Sequence, residues 1–269
     1  IYQRVLTSAE IIKRAYGIPE SAPLTGSTNT VFEFRRGLQD WSGREGAKAE
    51  ASESCMVVKT SLPRSLALNS NLNAPIDRSD FLSLRMAVDK GTRAEVVFAT
   101  TKGAGRIPFQ TYADGKMHTY VIEPGQWVGG GGNLLALGLA PSDKEQTTAT
   151  VQYVRVTGDV QAEPEIQVMD VFPEATLPRA GRIERVTARV RNVGGPAKQV
   201  KVSLKAPEGV SLKNAAVQVV PALGYLEQKE LSWRVEAAKP TEGELRVGAE
   251  AQDSLPASLS TKVTFLPNL

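Results

Sequence analysis

One cysteine and one histidine stand among 269 residues, and each scarcity removes a class of chemistry. Cys55 alone excludes an intrachain disulfide, and in the run SESCMVV it reads as a small buried hydrophobe rather than a nucleophile. It fits a cytoplasm or an exported protein that does without disulfides. His118 alone makes a poor metal site, because ligand clusters bring three or four donors. No apolar run approaches the ~20 residues needed to cross a bilayer, so no membrane insertion is expected. The net charge of +3 comes from 32 basic and 29 acidic residues mixed along the chain. Without a Lys/Arg run or a basic stripe interleaved with aromatics, nucleic acid is not an expected partner. The opening IYQRVLTSAE has neither a basic n-region nor an apolar h-region, so no signal peptide is expected there. The absence of an initiator Met suggests a piece of a longer polypeptide.

Catalytic signatures are missing as well. No G-x-S-x-G elbow accompanies His118. The glycines Gly129 to Gly132 are followed by Asn133 and an apolar strand, not by the GK[ST] and helix of a phosphate loop. Asp77, Asp80, Asp89 and Asp114 each lie at a strand end or turn, where Asp is common for its own reasons. Nothing marks two of them as the pair of acids ~5–10 Å apart that glycoside hydrolysis needs. The reading is of a non-enzyme, with no cofactor and no metal.

What is present is strand. From Asp77 to Trp127, three runs rich in Val, Ile, Phe, Tyr and Thr follow one another, each closed by Gly, Pro or Asp-Gly. That pattern predicts antiparallel strands with a tight hairpin at Asp114-Gly115. Upstream, VFEFRRG reads as a strand and GLQDWSGREGAKAEASES as a polar excursion that ends at the strand CMVVKTS. Downstream come the strands LLALGLA and TATVQYVRVTG. Thr7 to Tyr16 is the one convincing helix, with Thr7 or Ser8 as cap and Gly17 and Pro19 as its stop. After a polar joint over residues 159–164 the period-two pattern restarts. In KQVKVSLKAP, Val200, Val202 and Leu204 alternate cleanly with Lys201, Ser203 and Lys205, as a sandwich strand with one wet face requires. Seven such strands follow in about a hundred residues, an immunoglobulin-like count. The fold class is all-β, with two β-sandwich domains and a short N-terminal helix. The expected boundaries are 1–28 for helix and linker from a preceding region, 29–158, the joint 159–164, and 165–269.

The second half resembles CARDB-like and related Ig-like domains of secreted bacterial proteins. Carrying the resemblance are Gly181, VTARVRNVGGPA with Asn192, Gly194 and Gly195, LKAPEGVSL, and GYLEQKELSWRVEA with Trp233. NVGG reads as a turn in which Asn and Gly accept positive φ cheaply, and Trp233 as a core plug. The resemblance implies a spacer or adhesion module beside neighbouring domains of the same polypeptide. The first half is similar to galactose-binding-domain-like jelly rolls of carbohydrate-binding-module type. The matching pieces are VFEFRRGLQDWSG, PIDRSDFLSLRMAV, AEVVFATT, FQTYADGKMHTYVIEPGQWVGGGGNLLALGLAP and VQYVRVTG. This resemblance implies a polysaccharide or glycan partner and a secreted or cell-surface location. It departs at Gln152, where such modules often carry an acid that helps to hold a structural calcium. An amide there weakens the case for the ion.

Sugar rings stack their C–H faces on aromatic rings while their hydroxyls seek polar partners at the rim. Trp41, Tyr112, Tyr120 and Trp127 are therefore the aromatics of interest, each with a packing alternative. Tyr120 shares parity with Ile122, and Trp41 sits where the resemblance buries a tryptophan. Tyr112, beside Asp114-Gly115, is expected to be exposed. Arg85, Arg106 and Gln110 alternate with apolar neighbours and should point away from the core. The candidate ligand-binding set is Tyr112, Trp127, Arg85, Tyr120 and Gln110. The alternatives to a glycan-binding module are a structural or adhesion segment, and a hydrolase using His118 or an acid pair.

Overall fold

The computed structural model describes residues 29–77, 79–123 and 132–268. The expected helix over Thr7–Tyr16, the linker to residue 28, Trp127 and most of the glycine run lie outside the described residues. The chain divides into two compact units, one ending at Gln161 and the other beginning at Ala162. Among the described residues no helix is long and apolar enough to cross a membrane.

The first unit carries twelve described strands. In chain order they are β1 (Asn29–Glu33), β2 (Ser42–Arg44), β3 (Ala47–Ser52), β4 (Cys55–Thr60), β5 (Leu66–Asn69) and β6 (Ala74–Ile76). Then come β7 (Phe81–Val88), β8 (Arg93–Thr100), β9 (Ala104–Gln110), β10 (His118–Ile122), β11 (Gly132–Ala140) and β12 (Thr147–Thr157). One sheet runs β10-β7-β12-β4-β3, with β1 on the other half of β12. The second runs β2-β5-β11-β8-β9, with β6 on β11. Leu82, Leu84, Met86 and Val88 of β7 meet Ala94, Val96 and Phe98 of β8 and Leu134, Leu137 and Leu139 of β11 in one core. Each of the Leu, Met, Val and Phe side chains among them contributes ~1.5–3 kcal/mol when fully buried. The pairing of β12 with β7 shifts register between Val151 and Tyr153. Gln152 is the extra residue, and the bulge reverses parity. Val154 and Val156 stay in the core, while Tyr153 comes to lie opposite Arg85.

Two local expectations give way here. The polar excursion holds β2 and β3, which take the outermost positions of their sheets. An edge strand needs only one partner and tolerates charge; on β3, Glu50 pairs with Lys48 at 2.5 Å and with Lys59 of β4 at 3.0 Å. β3 does alternate, with Ala47 and Ala49 packed against the core, but alanine is small and a weak strand former, and the three-residue β2 is too short to show a period. Asp114-Gly115 is not a hairpin turn. β9 pairs with β8 in one sheet and β10 with β7 in the other, so this loop crosses between sheets. The Asp-Gly signal marks a turn but carries no information about which strands pair across it.

The second unit is built from β13 (Ile166–Pro173), β14 (Ile183–Asn192), β15 (Ala197–Lys205), β16 (Val210–Leu212), β17 (Val217–Leu223), β18 (Gln228–Ala237), β19 (Thr241–Glu250) and β20 (Ala257–Phe265). The two antiparallel sheets are β13-β14-β18-β16 and β17-β15-β19-β20. The three-residue β16 adds to the seven expected strands. Trp233 is fully buried and its indole N–H donates to the Ala216 carbonyl at 3.1 Å. Asn192, also fully buried, ties one end of this unit together. Its Nδ2 donates to Gly195 O (2.7 Å) and Leu223 O (2.9 Å), and its Oδ1 accepts from Gly194 N (3.1 Å) and Glu165 N (3.2 Å). The reason for the two glycines differs from the expected positive φ. A Cβ on Gly195 would stand 1.7 Å from Ala162 O, and one on Gly194 2.4 Å from Glu163 O. Close backbone approach, not left-handed conformation, demands glycine there.

Candidate functional site

The site grows out of the loop that crosses between the first unit's sheets. On β9, Ile107 and Phe109 turn to the core, which leaves Arg106 and Gln110 on the outer, exposed side. On β10, His118, Tyr120 and Ile122 are buried. Residues 111–117 between them are tied to the sandwich by their backbone. Thr111 N–H donates to Thr92 O at 3.0 Å and Gly115 N–H to Val88 O at 3.1 Å. Gly115 has φ +70 with open space where a Cβ would be, so here glycine serves conformation rather than fit.

Inside that frame, Asp114 accepts from the Lys116 backbone N–H at 3.0 Å and lies 3.1 and 3.3 Å, by its two oxygens, from His118 Nε2. With a carboxylate facing it, Nε2 is the protonated nitrogen. The imidazole so oriented lies 4.4 Å from the Tyr112 ring at 33°. Tyr120 completes the cluster. Its hydroxyl accepts from Tyr112 N–H at 3.2 Å, its ring lies 6.4 Å from that of Tyr112, and Phe109 backs it at 5.3 Å. Tyr112 itself is 46% exposed. Desolvation works against ionisation of Asp114. The Lys116 N–H, the bond and charge of His118, and the Lys116 charge outweigh it and hold the carboxyl below the usual aspartate range.

The result is an exposed aromatic plate whose orientation is set from below, with a carboxylate and the Gln110 amide within the same stretch of chain. Such a surface suits a ligand that is apolar on its flat side and hydroxylated at its edge. Tyr112, Tyr120 and Gln110 therefore fall at one end of the sandwich. Arg85 does not join them: it lies on the outer face of the β10-β7-β12 sheet, opposite Tyr153 and Thr119, while Gln110 lies on the outer side of the other sheet. Tyr153 is 2% exposed and carries the Arg155 guanidinium 3.8 Å above its ring, so it offers no open plate. Trp41 is buried edge-on to Phe32 (5.5 Å) and Phe34 (5.9 Å). Arg106 pairs with Glu95 at 3.3 Å. Trp127 lies outside the described residues. Among the described residues no three of His, Cys, Asp and Glu converge as a metal-binding group.

No protein-family model matches the chain, and no curated protein matches it. Solved structures do. The glycoside hydrolase domain of Spr0440, Endo-D from Streptococcus pneumoniae R6, aligns over 88% of this chain with 13% identity and a TM-score of 0.32. This chain spans 36% of that domain's length. The BiXyn10A CBM1 module aligns over 49% of this chain and 99% of its own, with 14% identity and a TM-score of 0.34. A family 29 carbohydrate-binding module variant complexed with mannohexaose aligns over 50% of this chain and 94% of its own, with 13% identity and a TM-score of 0.37.

The sequence reading missed the support beneath Tyr112. It treated His118 as an isolated histidine and Asp114 as a turn residue. The available signal was their four-residue spacing around a glycine, which lets the loop fold the carboxylate back onto the first residue of β10.

Proposed function

We propose that the first unit is a non-catalytic glycan-binding module whose contact surface is the β9–β10 loop. The observation that carries this reading is Tyr112, exposed yet seated on His118, which Asp114 holds. An aromatic ring ordered before the ligand arrives loses little rotamer freedom on binding, and that improves the affinity of a small contact. Tyr112 is the stacking plate, Gln110 and Asp114 are hydrogen-bonding groups at the rim, and Tyr120 positions Tyr112 through its backbone. The second unit is proposed as an immunoglobulin-like spacer of CARDB type. Its two sheet orders support that reading, and its most distinctive residues, Asn192 and Trp233, are engaged in packing and internal hydrogen bonds. Together the units would serve a secreted or cell-surface bacterial protein that acts on polysaccharide, next to further domains of that polypeptide.

A glycan array probed with the whole chain, followed by affinity electrophoresis of the positive glycans, tests the reading. The expected result is retention on at least one polysaccharide, lost with Tyr112→Ala and kept with Tyr112→Trp. Absence of binding across plant, algal and host glycans would instead favour a purely structural or adhesive segment.

A further inference from the structure

A cavity in the first unit, of about 340 Å³, is lined by Val31, Glu33, Arg35, Arg36 and Gln39. It belongs to β1 and to the 3-10 turn Phe34–Arg36 that continues it. Three features make it more than a surface dent. The first is charge. Among the described residues neither Arg35 nor Arg36 has a hydrogen bond or ion pair to its guanidinium. The acid in the lining, Glu33, is already neutralised by Arg155 at 2.8 Å. Arg155 is in turn held by the Gln161 carbonyl at 2.9 Å and by its seat over the Tyr153 ring. The cavity therefore keeps two uncompensated cations.

The second feature is rigidity. Phe34 and Trp41 are buried on either side of the turn and pack edge-on to each other. Gly37, Gln39 and Asp40 adopt left-handed conformations (φ +96, +47 and +66), and the buried Asn69 Nδ2 donates to Gln39 O at 2.9 Å. The Gln39 amide is thus presented from a turn with fixed ends. The third is the wall. Val31 is 37% exposed beside the arginines, which gives the cavity an apolar side. Paired guanidinium groups recognise carboxylate or sulfate oxygens by forked, charge-assisted hydrogen bonds. An amide adds a donor for a neighbouring hydroxyl, and an aliphatic wall suits a C–H face.

We propose that this cavity is a subsite for the carboxylate or sulfate ester of an acidic sugar unit. It involves none of the residues around Tyr112, and naming a sugar as the ligand rests on the reading of the first unit as a glycan-binding module.

The test is titration calorimetry of the whole chain with an oligogalacturonate, a sulfated oligosaccharide and a neutral oligosaccharide of matched length, and with inorganic sulfate. The account expects one of the two acidic oligosaccharides to bind and the neutral one to lack this contribution. Binding should weaken on the order of tenfold or more in the Arg35→Gln/Arg36→Gln double variant, as loss of charge-assisted bonds implies. It should fall as salt is raised, and should persist in Arg106→Gln. An unchanged unfolding midpoint in the double variant shows that the loss is local. The proposal is overturned if neither acidic oligosaccharide binds, if the double variant binds as the parent does, or if inorganic sulfate binds as tightly as the oligosaccharides, which would make this a simple anion site. Loss of binding in Tyr112→Ala but not in the double variant would leave the Tyr112 surface standing and remove this one.

Discussion

Asn192 in the second unit and the Asp114–His118 pair in the first do similar work with opposite outcomes. Each uses polar side chains to tie a loop to the end of a sandwich. Asn192 is fully buried, and its amide is saturated with two bonds given and two received. Nothing of it remains to meet a ligand, so it is architecture. Asp114 and His118 lock to each other under a ring that is left nearly half exposed. There the architecture ends in a surface. Polar side chains near a loop are thus no guide to function by themselves. What separates the two loops is whether the network closes on itself or presents something outward.

That contrast predicts a graded set of responses. The largest belongs to Asn192→Ala, which strips partners from two buried N–H groups and two carbonyls. At ~1–3 kcal/mol for each buried group left unsatisfied, a loss of about 3 kcal/mol or more is expected. It should appear as a lowered urea midpoint for the second unit, while glycan affinity stays at its parental value. If affinity fell as well, the division between a structural and a presenting loop would break down. Asp114→Asn comes next. The amide keeps an acceptor for Lys116 N–H but loses the charge that holds His118, so Tyr112 should tilt more freely and glycan affinity should drop about threefold to tenfold, on the order of 1 kcal/mol. The same carboxyl predicts a pH response. Its folded value lies below the ordinary one, so its stabilisation is fully present above the usual aspartate range. The stabilisation is lost as pH falls through the depressed folded value. A thermal-midpoint series at acid pH should therefore show a smaller acid-induced drop in Asp114→Asn than in the parent chain. Gln110→Ala should have the smallest effect, roughly a twofold loss of affinity, since an exposed rim amide exchanges one hydrogen bond for another with water.

Much of this architecture could be read from alternation alone, and it failed where a strand buries little or where a distant segment decides. Where a strand has a wet face and a dry face, as in β15 with Val200, Val202 and Leu204 buried, the pattern is in the residues themselves. β2 and β3 were invisible because edge strands in contact with water need little apolar content. The Asp114-Gly115 turn was visible, but its role was misread, because a turn motif is local while β10 pairs with the distant β7, His118 lying opposite Met86. Gly194 and Gly195 were recognised, but for the wrong reason: the contact that excludes a Cβ comes from a separate segment, Ala162–Glu163. The site shows the same limit. Exposure of Tyr112 followed from its place beside a turn, and burial of Tyr120 from its parity. The packing of His118 against Tyr112 required the loop to fold back on β10, which no period in the sequence encodes.

The central claim is that an ordered, exposed Tyr112 makes the β9–β10 loop a glycan surface. The most direct test is to titrate one bound polysaccharide into Tyr112→Ala and the parent chain, measuring the unfolding midpoint of each on the same preparations. Affinity should fall tenfold or more, about 1.4 kcal/mol or above, with a midpoint shift equivalent to only ~0.5–1.5 kcal/mol from the lost contact between the half-exposed ring and His118. Unchanged affinity in a folded Tyr112→Ala chain would contradict it.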